Sequence, residues 1–415
     1  GSDVLVAPED KLDNTVTTLY FDAIITTDSG WEWKNQLFYE EYDNLNENAY
    51  GFSQFHDTWV VEDKLVISKE FSMDNMTASI QISPSIRHTD FAHGDDYTNE
   101  YFDRRDLTRA STALDKRVLA TEIDDDYTEY YIGEYTNLGF ALLGDFTFDN
   151  GFSALLGVRY DTIDIESRQP SDMLLFASSN NFCPPPGGCE DLEADDDVNG
   201  VSWTASISYA FADGAFIPYL TASEQATMIV GQGAEATIGN VAGGGVFDDS
   251  ELLEFGVKGS LIENSLYYAI SVYEQERTDF SAQSIVTNQS TETEGAEVEV
   301  RWVVNEKLLL TFGYSKIEVT NLNTEEAGFR FSFIGCDDLP NIPCHLLYGG
   351  TLGGFVANTA SGSKRAGMPE NILSLTGTYD FGNGWAVNGS VIDVDSVDSG
   401  YSGAVELPAD TLVNL

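Results

Sequence analysis

The segment that indicates the fold most clearly is Glu294-Gly-Ala-Glu-Val-Glu-Val-Arg-Trp-Val-Val304. Its apolar residues recur at every second position, so in an extended strand they share one face: Ala296, Val298, Val300, Trp302 and Val304. Gly295, Glu297, Glu299 and Arg301 lie on the other face. The pattern predicts a β-strand with one apolar and one polar face. Its length matches the about 9–11 residues that a tilted strand needs to cross a bilayer.

Alternation of this kind covers most of the chain, whereas helical periodicity is scarce. It recurs in residues 76–87, 152–160, 201–211, 308–314 and 373–381. Many of these runs are longer than the about five or six residues of a typical soluble strand, and none approaches the about 20 apolar residues of a transmembrane helix. We therefore predict an all-β fold, a large antiparallel transmembrane β-barrel segment of roughly fifteen strands over residues 1–415.

The connections between these runs alternate between short and long. Short turns such as Asp149-Asn150-Gly151 and Gly382-Asn383-Gly384 contain residues that tolerate positive φ, which favours tight hairpins. Longer polar connections lie between the hairpins, at about 92–125, 169–198, 229–249 and 323–368. Outer-membrane barrels have short periplasmic turns and long extracellular loops, so we predict that the four long connections are extracellular.

The charge of the chain excludes one class of partner. It carries 69 acidic and 20 basic residues, for a formal net charge of −49. Such a surface repels the phosphate backbone, so we expect no nucleic-acid partner. The hydrophobic content of 42% is too high for a disordered acidic chain.

The second half of the chain resembles the C-terminal part of the barrel of TonB-dependent outer-membrane receptors. Ser250-Glu-Leu-Leu-Glu-Phe-Gly-Val-Lys258 is similar to one strand of that family, and Leu266-Tyr-Tyr-Ala-Ile-Ser-Val-Tyr273 follows it after a short turn. Glu294-Gly-Ala-Glu-Val-Glu-Val300 and Leu308-Leu-Leu-Thr-Phe-Gly-Tyr314 resemble the next hairpin. The order and spacing of these motifs make the resemblance specific over about 200–410.

The resemblance implies a 22-stranded barrel around a plug, integral in the bacterial outer membrane, that imports a ferric siderophore, a similar scarce ligand or an oligosaccharide. It also implies coupling to the TonB complex through a plug and TonB box, which this chain is expected to lack. We expect outer-membrane lipid and lipopolysaccharide as further partners and no enzyme activity. Two alternatives stay open: a passive porin-like diffusion channel and a soluble cell-surface β-protein.

The four cysteines fall into two close pairs, Cys183 with Cys189 and Cys336 with Cys344. Both pairs lie in polar segments that contain proline or glycine. Zinc sites favour tighter spacings, usually with further Cys or His nearby. We predict two short disulfides, which fits an oxidising compartment.

Two groups of side chains are candidate binding sites. Arg104, Arg105 and Arg109 concentrate positive charge in one long connection, where they can either recognise an anionic ligand or pair with neighbouring carboxylates. His88, Asp90 and His93 form the densest group of metal-ligand residue types.

No cofactor is expected. The acidic loop segments 122–126 and 190–197 lack EF-hand spacing and are compatible either with solvated loops or with loop-bound calcium. The sequence contains no convincing catalytic constellation, so no catalytic residue is predicted.

Overall fold

The computed structural model describes residues 11–47, 53–96, 127, 129–174, 190–280, 288–322, 330–331, 355–356, 362–398 and 406–415. These residues form nineteen β-strands. In chain order the strands are β1 (Lys11–Thr26), β2 (Trp31–Glu47), β3 (Ser53–Met73), β4 (Met76–Asp96), β5 (Glu129–Phe148), β6 (Phe152–Gln169), β7 (Leu192–Tyr209), β8 (Ile217–Met228), β9 (Phe247–Leu261), β10 (Leu266–Phe280), β11 (Asn288–Asn305), β12 (Leu308–Asn321), β13 (Arg330–Phe331), β14 (Phe355–Val356), β15 (Asn371–Asp380), β16 (Ala386–Val394), β17 (Val397–Asp398), β18 (Glu406–Leu407) and β19 (Asp410–Asn414).

Helix is a minor component of the described residues. One α-helix, α1 (Ile238–Ala242), lies between β8 and β9. Short 3₁₀ turns occur at Ser171–Met173, Ala212–Gly214 and Gln232–Ala234. No helix in this part of the chain has the length and apolar character needed to span a membrane.

Fifteen strands form one antiparallel sheet in which each strand pairs with its neighbours in the chain. The order is β1 to β12, then β15, β16 and β19. β13 pairs with β14, and β17 with β18, in two small separate sheets. The prediction of a large antiparallel all-β fold with roughly fifteen strands is confirmed. In the described ranges, the edge strands β1 and β19 are not paired with each other.

Tight turns set the register of the sheet. Met73 pairs with Met76 across the turn between β3 and β4, and the same register runs to Ser53 opposite Asp96. The strands also continue into the predicted long connections. β4 extends to Asp96 and β7 begins at Leu192, inside the predicted connections 92–125 and 169–198. β13 and β14 lie within the connection 323–368.

Exposed apolar side chains form a belt on one face of the sheet, which we call the outer face. The register places these side chains directly opposite one another on neighbouring strands. They are 37–55% exposed: Phe140, Tyr160 and Val201 in one row, Leu220, Phe255 and Val272 in another, and Leu375 with Val391. A continuous exposed apolar surface that crosses so many strands is typical of the lipid-facing side of an outer-membrane barrel.

Strand β6 shows where the belt ends. Leu156, Val158 and Tyr160 face outward and are exposed. Further along the strand the polarity of the two faces reverses, because Ile163 and Ile165 are fully buried on the opposite, inner face. This reversal indicates that the second half of β6 leaves the bilayer and packs against protein on its inner side.

Candidate functional site

Residues 229–246, between β8 and β9, fold against the inner face of the sheet, and we call this segment the inward loop. Its helix α1 packs on β6 and β7, and its turn Gln232–Ala234 packs on β3 and β4. The loop therefore crosses the inner face from β8 to β3, which requires a curved sheet. Four of its side chains are completely buried: Ile229, Ala236, Val241 and Val246.

Apolar packing and hydrogen bonds both hold the inward loop to the wall. Val241 and Val246 belong to a buried cluster with Phe91, Ile163 and Ile165 of the wall strands. The Thr58 hydroxyl of β3 donates to the Gly233 carbonyl at 2.5 Å, and the Ser167 hydroxyl of β6 donates to the Ala236 carbonyl at 2.6 Å. Burying these carbonyls without donors would be costly, so the two hydroxyls stabilise the loop in this position.

A group of imidazoles and carboxylates lies where the inward loop meets β3 and β4. We call His56, His93, Asp95 and Glu235 the histidine–carboxylate cluster. His56 and His93 are direct cross-strand partners, and their rings stack with centroids 4.2 Å apart. The Nδ1 atoms of the two rings are 2.9 Å apart. His93 Nε2 lies 2.8 Å from Glu235 Oε2 and 3.0 Å from Asp95 Oδ2.

The surroundings of His93 favour its charged form. Its Nδ1 also lies 3.0 Å from the Phe55 carbonyl, so acceptors face both ring nitrogens. Burial lowers the pKa of His93, but the hydrogen bonds and charges of Asp95 and Glu235 outweigh burial and raise the pKa to about 10. His93 is seven residues beyond Ile86, the last exposed apolar residue of β4, so it lies roughly 23 Å further along the strand than the belt.

A cavity of about 620 Å³ lies between the inward loop and the wall. Its charged lining residues are Glu62, Arg87, Arg159 and Asp161. Arg159 donates from Nε and Nη2 to the Asp161 carboxylate at 2.5 and 2.6 Å, and from Nη2 to Ser85 Oγ at 3.3 Å. The lining is thus mixed, with an ion-paired polar part beside apolar residues such as Ile163, Val230 and Phe247.

The structure does not bring the predicted metal ligands His88, Asp90 and His93 together. Strand alternation places His88 and Asp90 on the outer face and His93 on the inner face. His88 Nδ1 lies 2.9 Å from Thr136 Oγ1, and His88 Nε2 lies 3.9 Å from Glu134. His93 instead joins the histidine–carboxylate cluster.

The other predicted sites lie largely outside the described residues. This applies to Arg104, Arg105 and Arg109, to the acidic segment 122–126, and to the four cysteines, Cys183, Cys189, Cys336 and Cys344. Of the second acidic segment, Asp196 and Asp197 line a cavity of about 470 Å³ together with Glu224 and Asp249. Asp191 accepts hydrogen bonds from the Ser171 amide and hydroxyl at 2.8 and 2.6 Å.

Sequence reasoning missed His56 and Glu235. The signal for His56 was available, because counting outward from the turn between Met73 and Met76 places it opposite His93. Burial of Glu235 could have been inferred from the amino-acid composition of the segment around it. The segment 229–246 contains Ile229, Val230, Ile238, Val241 and Val246, an apolar content that suits burial better than an extracellular loop.

Comparison with known proteins identifies the architecture. The family model "TonB dependent receptor-like, beta-barrel" matches residues 4–415. The closed form of the ferric-catecholate import receptor Fiu from E. coli K12 is 11% identical, with a TM-score of 0.65, and the match covers 99% of this chain and 58% of that chain. The unliganded ferric citrate transporter FecA is 12% identical, with a TM-score of 0.68 and coverages of 98% and 54%. The siderophore receptor PiuA from Acinetobacter baumannii is 13% identical, with a TM-score of 0.63 and coverages of 98% and 58%.

These structural likenesses concern the fold. This chain spans a little over half the length of the solved receptors that it resembles. No curated protein matches it in sequence.

Proposed function

The chain belongs to the TonB-dependent receptor-like β-barrel family, and from that premise we propose that the native protein imports a scarce ligand across the bacterial outer membrane. Members of this family are integral outer-membrane transport receptors rather than enzymes. The observation that carries the proposal is the family match, which extends over residues 4–415.

The distribution of polarity supports this function. The outer face carries the apolar belt, and the inner face carries ion pairs such as Arg159 with Asp161. The inward loop occupies part of the space inside the curved sheet and is fixed there by buried contacts. A partly filled, polar interior suits selective passage of a bound ligand better than free diffusion.

We propose a ferric siderophore or a similar ferric complex as the ligand, with an oligosaccharide as the second candidate class. Fiu is described as a ferric-catecholate receptor and FecA as a ferric citrate transporter, and both share this fold. Ferric complexes of catecholates and citrate are anionic, whereas this chain has a net charge of −49. Binding such a complex therefore requires a local excess of positive charge, for which Arg104, Arg105 and Arg109 are the candidates.

The proposed partners follow from the family and from the charge distribution. TonB is the proposed energy-coupling partner of the native receptor. Outer-membrane lipid contacts the apolar belt. Calcium, bound by the carboxylates of segments 122–126 and 190–197, is proposed to bridge the extracellular rim to lipopolysaccharide.

A binding titration tests the ligand class. The native protein, extracted in detergent, is titrated with a ferric catecholate, with ferric citrate and with oligosaccharides while its tryptophan fluorescence is recorded. We expect saturable quenching by at least one member of the ferric series. A protein that binds none of these probes saturably would contradict the receptor function.

Variants of the arginines test whether these side chains bind the ligand. Replacing Arg104, Arg105 and Arg109 together with Gln should weaken binding at least about tenfold, because each lost charge-assisted hydrogen bond contributes about 1.5–3 kcal/mol. Arg168→Gln is the control, since Arg168 is exposed and paired with Glu166 at 2.9 Å. Equal affinity of the triple variant and the control would show that these arginines do not bind the ligand.

A further inference from the structure

We propose that His56, His93 and Glu235 bind a divalent transition-metal ion of the Zn²⁺ type, which fastens the inward loop to the barrel wall. Asp95 lies beside these residues as a further oxygen donor. The site does not depend on which ligand the receptor imports.

The positions of the donor atoms meet the first requirement of such a site. One ring nitrogen from each histidine and one carboxylate oxygen of Glu235 all lie within 4.8 Å of one another. Zinc bonds of about 2.0–2.1 Å in tetrahedral geometry separate two donors by about 3.4 Å. Side-chain rotations that move the donor atoms by about an ångström are therefore enough to place these atoms around an ion.

The chemistry of the donors selects the class of ion. Imidazole nitrogen combined with carboxylate oxygen suits zinc, cobalt, nickel and ferrous ions, whereas calcium and magnesium prefer oxygen ligands throughout. Asp95 can complete a fourth position or hold the second nitrogen of His93, as carboxylates commonly do for metal-bound histidines.

The charge of the cluster matches a divalent ion. With neutral rings, the two carboxylates of Asp95 and Glu235 give the cluster a formal charge of −2. With both carboxylates ionised, a divalent ion cancels all of that charge. All four residues are at most 4% exposed, and buried charge is costly unless it is compensated.

The inward loop is shaped to bring Glu235 to this position. Gly233 adopts a φ of +60°, and a Cβ atom there would lie 2.3 Å from His56 Nδ1. The backbone therefore passes directly over the His56 ring, and Glu235 follows two residues later, beside His93. Because the three ligands come from β3, β4 and the inward loop, an ion at this site would join elements that are far apart in the sequence.

The test uses metal binding to the native protein, extracted in detergent without a histidine tag. After chelation and dialysis, the protein is titrated with Co²⁺ and its visible absorption is recorded, and Zn²⁺ is then added to displace the cobalt. We expect one equivalent of Co²⁺ with the intense visible bands of a four-coordinate site, and their loss when Zn²⁺ is added.

Three variants locate the site, and retention of the folded barrel is checked for each by its heat-modifiable electrophoretic mobility. Glu235→Gln keeps a hydrogen-bond acceptor beside His93 but removes the charged ligand oxygen. Loss of a direct ligand should cost at least as much as loss of an outer-sphere partner, so we expect both Glu235→Gln and His56→Gln to weaken metal binding at least about tenfold. His88→Gln, on the outer face of the same strand as His93, should bind like the native protein. The proposal is overturned if the native protein takes up no Co²⁺, or if Glu235→Gln and His56→Gln bind as tightly as His88→Gln.

Discussion

At Gly233 the chain needs both an unusual backbone angle and the absence of a side chain. Its φ is +60°, and an added Cβ would lie 2.3 Å from His56 Nδ1. We predict that Gly233→Ala displaces the inward loop and destabilises its packing by about 1–3 kcal/mol. The measurement is the rate of protease cleavage within residues 229–246, which should rise in the variant.

Gly384→Ala is the matched control for this prediction. Gly384 also has a positive φ, of +90°, but nothing lies within 4 Å of an added Cβ. The control variant introduces backbone strain at a positive φ but no steric clash with a neighbouring side chain. Protease cleavage of the inward loop should therefore be unchanged in it. If Gly233→Ala is cleaved no faster than this control, the contact with His56 does not position the loop.

The spacing of the four cysteines predicts their oxidation state and pairing. We expect disulfides between Cys183 and Cys189 and between Cys336 and Cys344, each closing a short loop and contributing about 2 kcal/mol. Peptide mapping without reduction should recover both linked pairs. Free thiols or crossed pairs would refute the assignment.

The histidine–carboxylate cluster shows how far single residues can be read from a sequence. The turn between Met73 and Met76 sets the register of two long strands, so the pairing of His56 with His93 follows by counting. His88 and Asp90 were grouped with His93 as metal ligands, but side chains alternate between the two faces of a strand. His93 therefore lies on the opposite face from His88 and Asp90. Glu235 reaches the cluster through the folding of a loop, and no local pattern encodes that path.

Neighbouring residues of β10 point to opposite faces of the sheet, one to the apolar belt and one to the polar interior. Ile270 is 44% exposed on the belt, and Ser271 faces inward opposite Glu297. We predict that Ile270→Arg costs about 2–4 kcal/mol, because it places a charge in the hydrocarbon layer. The amount of folded barrel in the outer membrane, measured by heat-modifiable electrophoretic mobility, should fall.

Ser271→Arg is the comparison, one residue further along the same strand. Its side chain points to the polar inner face near the Glu297 carboxylate, so the folded amount should stay close to that of the native protein. If Ser271→Arg proved the more damaging of the two substitutions, the assignment of outer and inner faces would be reversed.

The faces of a strand could be predicted from the sequence wherever the same side of the strand is apolar along its whole length. The alternation in β6 predicts its outward face correctly as far as Tyr160. Beyond that residue the outward positions are polar, as in Thr162 and Asp164, and the inward loop packs on the inner side, so the apolar residues Ile163 and Ile165 face inward. Strand periodicity alone cannot reveal this change, because it depends on where the bilayer ends and on how a distant loop packs.

At the scale of the whole molecule, the net charge of −49 is concentrated in part on neighbouring strands. Glu224, Glu251, Glu276 and Glu292 are successive cross-strand partners on β8, β9, β10 and β11. Like charges directly opposite in a sheet are destabilising. We predict that Glu276→Gln stabilises the folded barrel at low salt by about 0.2–1 kcal/mol.

Thermal unfolding at low and at high ionic strength measures this effect. The gain should shrink in high salt, which screens exposed charges. Glu263→Gln, in the short turn after β9, removes one negative charge away from the row and should give a smaller gain. Equal increases in stability for both variants would mean that the total charge of the chain determines the effect, and not the repulsion between neighbouring glutamates of the sheet.

The most direct test of the import function is accumulation of ⁵⁵Fe, supplied as ferric catecholate or ferric citrate at nanomolar concentration, by cells with and without the gene for this protein. A TonB-coupled receptor predicts accumulation that requires the gene, saturates with concentration and stops when a protonophore collapses the proton gradient. Gene-dependent uptake that rises linearly with concentration and survives the protonophore would contradict it, and would identify a passive diffusion channel.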